Sequence, residues 1–218
     1  MPNGLPLDMS YVSALAGKKC LVVGAGVTGR AVEQALKKFN ALPILFDEKL
    51  QPNSDVVNQI PDLIDMAVIS PGWRMDHPVI AKLKQAGVVI ISEIDFAWKI
   101  KEVLAPKQRW VGLTGTNGKT TTIKMVESIF KSAKINGAAC GNVGQTVIES
   151  VIRDQPYEYL AVELSSFQIQ WSDLPKYESV AILNLAEDHI DWHGSFDNYA
   201  SAKLKLLNHG KRSIVNKS

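Results

Sequence analysis

Two glycine-bearing turns hold the residues of this 218-residue chain best suited to chemistry. The more specific is Thr114-Gly115-Thr116-Asn117-Gly118-Lys119-Thr120-Thr121. A strand enters it and an amphipathic helix leaves it, so its backbone N–H groups can cradle a triphosphate. Lys119 can neutralise β- and γ-phosphate charge there, and the Thr120 hydroxyl can bind Mg²⁺. The spacing departs from G-x-x-x-x-G-K-[ST]: Leu113 stands where the first glycine would fall, and Gly115 makes the loop shorter than the common one. A structural turn that only happens to contain Gly-Lys-Thr is the bland alternative; ATP or a related nucleotide is the better reading. The other turn, Gly24-Ala25-Gly26-Val27-Thr28-Gly29, matches G-x-G-x-x-G, follows a strand and opens a helix. Its glycines let the backbone approach a diphosphate, and the helix N-terminus supplies N–H donors and the positive end of a dipole. Asp47, 18 residues after Gly29, stands where a dinucleotide-binding domain places its ribose-binding acid. Alone, this motif leaves three readings open: NAD(P), a tight packing turn, or the diphosphate of another nucleotide conjugate.

Both turns need a strand behind them and a helix in front, and the sequence supplies these. Short β-rich runs at 19–23, 43–46, 66–69 and 88–91 alternate with helical spacing at 27–39 and 77–86, where Pro78 stands near the start and Gly87 marks the stop. Polarity rises around Ala105-Pro106-Lys107-Gln108, and the rhythm then restarts: strand 110–114, glycine turn, helix 119–134, strands 159–164 and 180–185, and a helix at about 196–207. The expected fold class is α/β. A Rossmann-like parallel-sheet domain over 1–105 precedes a P-loop-type ATP-binding domain over 106–218.

Composition narrows the function classes. With 24 Lys+Arg against 22 Asp+Glu and a net charge of +2, the chain lacks the basic balance usual in a nucleic-acid-binding domain. At 46% apolar and 21% charged, it can bury a core and is no disordered polyelectrolyte. Cys20 and Cys140 are too far apart in sequence to suggest a disulfide framework or a Cys-x-x-Cys metal site. No run reaches the roughly 18 to 20 apolar residues of a membrane-spanning helix. The N-terminal Met-Pro-Asn-Gly-Leu-Pro-Leu-Asp-Met-Ser has neither the basic nor the apolar region of a signal peptide. A cytoplasmic protein is the expectation.

A nucleotide turn at the head of each half weighs against a dehydrogenase, which needs no triphosphate loop, and against an ordinary small GTPase, which needs no preceding Rossmann-like unit. An NAD(P)-dependent oxidoreductase and a non-catalytic nucleotide-binding module stay as rival readings. Thr114 to Thr121 resembles the shortened phosphate loop of the Mur ligase family, ATP-dependent amide-forming enzymes of peptidoglycan synthesis. Four further segments agree in order: Gly141-Asn142-Val143-Gly144, Glu163-Leu164-Ser165-Ser166-Phe167-Gln168, Asn184-Leu185-Ala186-Glu187-Asp188-His189 and Tyr199-Ala200-Ser201-Ala202-Lys203. The Glu163-to-Gln168 segment, with the first glycine turn and Ser70-Pro71-Gly72, most resembles the branch that adds D-glutamate.

The resemblance implies that ATP phosphorylates the carboxylate of UDP-N-acetylmuramoyl-L-alanine, after which the amine of D-glutamate attacks the acyl phosphate. By the same resemblance, Gly115, Thr116, Asn117, Gly118, Lys119, Thr120 and Thr121 hold ATP, and Lys119, His189 and Lys203 serve catalysis. Thr120 reaches a first Mg²⁺; Glu163, His189 and a Lys203 carbamylated by CO₂ hold a second. Asn142, Ser165 and Gln168 resemble substrate- or nucleotide-contacting positions. The first glycine turn is then reread as a UDP-sugar site, with Val27 and Thr28 at the diphosphate, Asp47 and Glu48 near the uridine end, and Ser70 and Gly72 in the same cleft; no nicotinamide is expected. Outside this resemblance, a glutamate at a strand end is more often a salt-bridge partner, and a lone histidine or a helical lysine an ordinary surface group. Two departures touch fine substrate contacts: Leu185-Ala186-Glu187 precedes Asp188-His189 where a Val-Thr-Glu variant is expected, and Asp191-Trp192-His193 follows it. Relatives of this kind have three domains, so the chain is expected to be a monomeric fragment that cannot complete ligation alone.

Overall fold

A computed structural model describes residues 10–53 and 55–216; the N-terminal segment read above for a signal peptide lies almost wholly outside them. Two compact units divide the chain between Pro106 and Lys107.

In the first unit, the short helix α1 (Ser10–Ser13) leads into β1 (Lys19–Val23), α2 (Val27–Lys38), β2 (Leu42–Phe46) and β3 (Val56–Val57). There follow β4 (Met66–Ile69), α3 (Pro78–Gln85), β5 (Val89–Ser92) and α4 (Glu93–Leu104). The sheet order is β3-β2-β1-β4-β5, with every pairing parallel. The run Cys20-Leu21-Val22-Val23 is buried throughout, as a central strand covered on both faces requires. The chain fills one side of β1 and then the other, so the turn after β1 lies at the switch point where open α/β sheets bind ligands. Pro43 is tolerated inside β2 for a local reason. Leu42 donates its N–H toward β1 and Asp47 donates toward Val57, so odd positions of β2 face β3, which pairs only with Leu45 and Phe46. The missing N–H of Pro43 therefore has no ladder partner to deprive.

In the second unit, β6 (Arg109–Thr114) is followed by α5 (Lys119–Ser132), β7 (Gly137–Gly141), α6 (Val147–Val151), β8 (Tyr159–Glu163) and α7 (Ser166–Trp171). Then come β9 (Ser179–Ile182), α8 (Ile190–His193), α9 (Phe196–Leu204), a 3₁₀ stretch at Lys205–His209 and β10 (Ser213–Val215). Its parallel order is β10-β9-β6-β8-β7. The α/β class is as expected. Several pieces differ from the sequence reading: β9 stops at Ile182, the last helix gives way to 3₁₀ after Leu204, and α4, β7, α6, α7 and α8 occupy stretches to which the pattern gave no element. Cys20 and Cys140 are free and buried.

Candidate functional site

The phosphate-type loop joins the C-terminal end of β6 to α5. Gly118 occupies the N-cap position of α5 without a side-chain cap, so the first N–H groups of that helix are not spent on a capping side chain. The loop is pinned from the stretch after β9. Asn184 Oδ1 accepts the N–H groups of Thr116 (3.1 Å) and Asn117 (2.9 Å), and Asn184 Nδ2 donates to the Asn117 carbonyl at 3.0 Å. Thr116 Oγ1 accepts from the Ala186 N–H at 2.9 Å and shares a 2.9 Å hydrogen bond with the Tyr199 hydroxyl. Burial raises the pKa of that hydroxyl, so it stays protonated near neutral pH.

Two ammonium groups converge on one carbonyl. Lys119 Nζ donates to Gly115 O at 2.8 Å and to Thr116 O at 2.9 Å; Lys203 Nζ donates to Gly115 O at 2.9 Å and to Thr114 Oγ1 at 3.2 Å. Lys203 is 2% exposed. Burial pushes its pKa down to about 8, helped by repulsion from Lys119 and opposed by Asp188. The Tyr199 ring lies 4.9 Å from the same Nζ.

On the strand neighbouring β6, in register with Leu113, stands Glu163, the last residue of β8 and only 1% exposed. Its Oε2 accepts from Thr120 Oγ1 and its Oε1 from Asn142 Nδ2, each at 3.3 Å. Among the described residues its carboxylate has no cationic partner. A buried carboxylate facing a threonine hydroxyl at a phosphate-type loop has the hard-oxygen chemistry that suits Mg²⁺. Asn142 reaches this point because β7 crowds β8: a Cβ on Gly141 (φ +111°) would fall 2.3 Å from the Glu163 carbonyl oxygen. His189 lies apart from Glu163's hydrogen bonds, packed 4.8 Å from the Phe167 ring and 3.5 Å from Asp188 Oδ2. Ser165 and Gln168 partner each other in a capping box at the start of α7. Thr121 is exposed in the first turn of α5.

In the first unit the glycine turn runs from β1 into α2, whose N-cap Gly26 likewise offers no side chain. A Cβ on Gly29 would fall 1.8 Å from the Gly24 carbonyl oxygen, so the turn closes only with glycine there. Asp47 is turned onto the turn itself: Oδ2 accepts from the Ala25 N–H at 3.2 Å and Oδ1 from the Lys49 N–H at 3.1 Å. Glu48 is bound instead to His77, Oε1 to Nε2, at 3.1 Å. Ser70 Oγ donates to the Gly24 carbonyl at 3.4 Å. Val27 is 77% exposed beside the turn, Thr28 half-buried, and Gly72 exposed in the loop after β4. The glycine-turn residues, Asp47 and Ser70 thus gather at one end of the sheet.

Residues 113–218 match the Mur ligase middle domain. Over 208 residues the chain is 37% identical to the UDP-N-acetylmuramoylalanine--D-glutamate ligase of Nocardia farcinica, covering 88% of this chain and 43% of that protein. It is 38% identical to the enzyme of the same name from Thermobifida fusca, covering 93% of this chain and 47% of that one. The chain belongs to the Mur ligase family. It spans about half the length of the curated relatives it matches. Among solved structures, a UDP-N-acetylmuramate:L-alanyl-gamma-D-glutamyl-meso-diaminopimelate ligase from Neisseria superposes with a TM-score of 0.60 at 18% identity, covering 93% of this chain and 72% of that one. A UDP-N-acetylmuramate-alanine ligase from Thermotoga maritima gives 0.53 at 21%, covering 91% and 49%. These two agree in fold.

Within this Mur ligase fold, sequence reasoning missed Asn184 and Tyr199 as the residues that hold the phosphate loop. Both stand in segments that carried the resemblance. What hid their roles is that both act by hydrogen-bonding a loop 67 and 83 residues away in sequence, contacts that become visible only in the fold.

Proposed function

We propose that this chain serves an ATP-dependent acid–amino-acid ligase that joins D-glutamate to UDP-N-acetylmuramoyl-L-alanine in peptidoglycan synthesis, in the cytoplasm and as a monomer. The observation that carries the reading is the buried Glu163 carboxylate, without a cationic partner among the described residues, facing Thr120 at the loop that bears Lys119. Likeness to the D-glutamate ligases over most of the chain supports the substrate pair.

The residues divide the work. The loop N–H groups and the N-terminus of α5 orient the triphosphate. Lys119, now resting on two loop carbonyls, exchanges these for phosphate oxygens and offsets the charge that builds up during transfer to the substrate carboxylate. Thr120 would hold a first Mg²⁺, and Glu163, with His189 and a carbamylated Lys203, a second; the metal would supply charge neutralisation at the phosphates. Lys203 suits carbamylation in one respect: burial and Lys119 together favour its neutral amine, the form that adds CO₂ and releases a proton. In the first unit, the turn N–H groups together with Val27, Thr28, Ser70 and Gly72 would hold the UDP diphosphate, and Asp47 and Glu48 its uridine end; Asn142, Ser165 and Gln168 would border the phosphoryl-transfer site.

Calorimetric titration of the chain with Mg·ATP and with UDP-N-acetylmuramoyl-L-alanine tests this, alongside an assay for ADP and amide product with D-glutamate. Binding of both ligands is expected. Binding of NAD(P)H with a shift in its fluorescence, and no affinity for the UDP-sugar, would replace this reading with an oxidoreductase; affinity for Mg·ATP alone would leave a nucleotide-binding module.

A further inference from the structure

The loop after β4 places an aromatic side chain where sequence reasoning put only Ser70 and Gly72. Trp73 closes the turn Ser70-Pro71-Gly72-Trp73, its N–H donating to the Ser70 carbonyl at 3.2 Å. Its indole bridges the two halves of the first unit's glycine-turn site. At one side, Nε1 is 3.0 Å from the point where a Cβ on Gly24 would stand. At the other, the ring packs on Phe46, the residue before Asp47, with centroids 5.8 Å apart. It also meets His77 edge-on at 4.8 Å, and His77 is the partner of Glu48. The ring is half-buried, so part of its surface faces outward. A nucleoside diphosphate with its phosphates on the Gly24–Gly29 turn and its base toward Asp47 and Glu48 would lie beside this ring, which reaches Gly24 on one side and the neighbours of Asp47 and Glu48 on the other.

We infer that Trp73 is a further substrate-binding residue of the first unit, packing its indole against the nucleoside of a uracil-nucleoside diphosphate conjugate. The inference rests on the UDP-site reading above. It assigns the aromatic surface that the turn alone lacks: glycine N–H groups grip phosphate and cannot tell one nucleoside from another, whereas stacking on an indole favours a base of the right placement.

The test uses the whole chain with UDP and with inorganic pyrophosphate as probes, read by calorimetry and tryptophan fluorescence. Wild type is expected to bind UDP with a fluorescence change. Trp73→Ala should weaken UDP about tenfold, the size usual for losing one base–aromatic stack, and leave pyrophosphate affinity unchanged. Trp73→Phe keeps a ring and the fold, so its UDP affinity should fall less while the fluorescence change disappears. Equal losses for UDP and pyrophosphate would overturn the assignment, because Trp73 would then only prop the turn. So would UDP affinity within twofold of wild type in both variants. A wild-type chain that binds no UDP overturns the UDP-site reading itself, a separate result from failure of the variants.

Discussion

Lys203 is the residue whose environment departs furthest from its type. A lysine ammonium titrates at an ordinary 10.5; here burial first and Lys119 second bring it to about 8. Between those values the unfolded chain binds a proton that the folded chain has released, so stability due to this group rises with pH across that window. Below about pH 8 the cost of the buried charge is fully present. Replacing it with methionine should therefore gain most, relative to wild type, at pH 7.5, and the relative gain should shrink toward pH 10. Urea unfolding in CO₂-free buffer at several pH values measures this; a difference that stays flat over the window would show that Lys203 is not the titrating group. Glu163 offers a second residue-scale outcome. Glu163→Gln keeps the partners Thr120 and Asn142 and removes the anion, so Mg·ATP affinity should fall at least tenfold while metal-free ATP binds as before. Calorimetry with and without EDTA separates the two, and equal loss in both conditions would deny Glu163 a metal-linked role. The Gly-Lys-Thr loop announced itself in the sequence. By type a strand-end glutamate reads as a salt-bridge partner and a helical lysine as a surface charge, so Glu163 and Lys203 were legible only through the ordered segments that carry the family resemblance. Trp73 and Asn184 were not, since a tryptophan after Pro-Gly reads as packing and an asparagine in a loop reads as a turn.

At the scale of elements, the long apolar strands and the two amphipathic helices after the glycine turns could be read directly, because their periodicity outlasts noise at the ends. The twelve-residue α4, which buries Glu93, Asp95 and Lys101 among its apolar positions, could not, and neither could the short helices. α6 and α7 run five and six residues, too brief for periodicity to register, yet each begins with a capping box, Thr146 with Glu149 and Ser165 with Gln168, that stood in the sequence unread. Ser165→Ala should accordingly cost about 1 kcal/mol of stability through the lost cap. Strand packing makes a harsher demand. Alanine at position 141 puts a methyl 2.3 Å from the Glu163 carbonyl oxygen at a left-handed φ, so β7 must pull away from β8. Gly141→Ala is expected to lose at least about 2 kcal/mol and to weaken Mg·ATP binding by displacing Glu163 and Asn142 together. Thermal unfolding and calorimetry on one sample check both, and a variant with full stability would mean that the two strands tolerate greater separation than their packing suggests.

On the scale of the whole chain, the two units repeat one device: a central parallel strand, a glycine turn at its C-terminal end, and a helix whose first N–H groups meet no capping side chain. The sequence made this duplication visible, since both turns follow apolar strands, but composition could not say what sets the two turns apart. The difference lies in what surrounds them. The first turn is ringed by Asp47, Ser70 and Trp73 and has no lysine in its motif, which suits a diphosphate already joined to a sugar; the second places Lys119, Lys203 and Glu163 at the loop, which suits transfer of a phosphoryl group. Damage to one turn should therefore spare the other's ligand. Gly29→Ala, whose methyl would fall 1.8 Å from the Gly24 carbonyl oxygen, is expected to abolish UDP binding and leave Mg·ATP affinity within twofold of wild type. Lys119→Ala should do the reverse, reducing Mg·ATP affinity more than tenfold with UDP affinity intact. Calorimetric titration of both variants with both ligands gives four values, and a loss of both ligands in either variant would mean that the two turns do not act as separate sites.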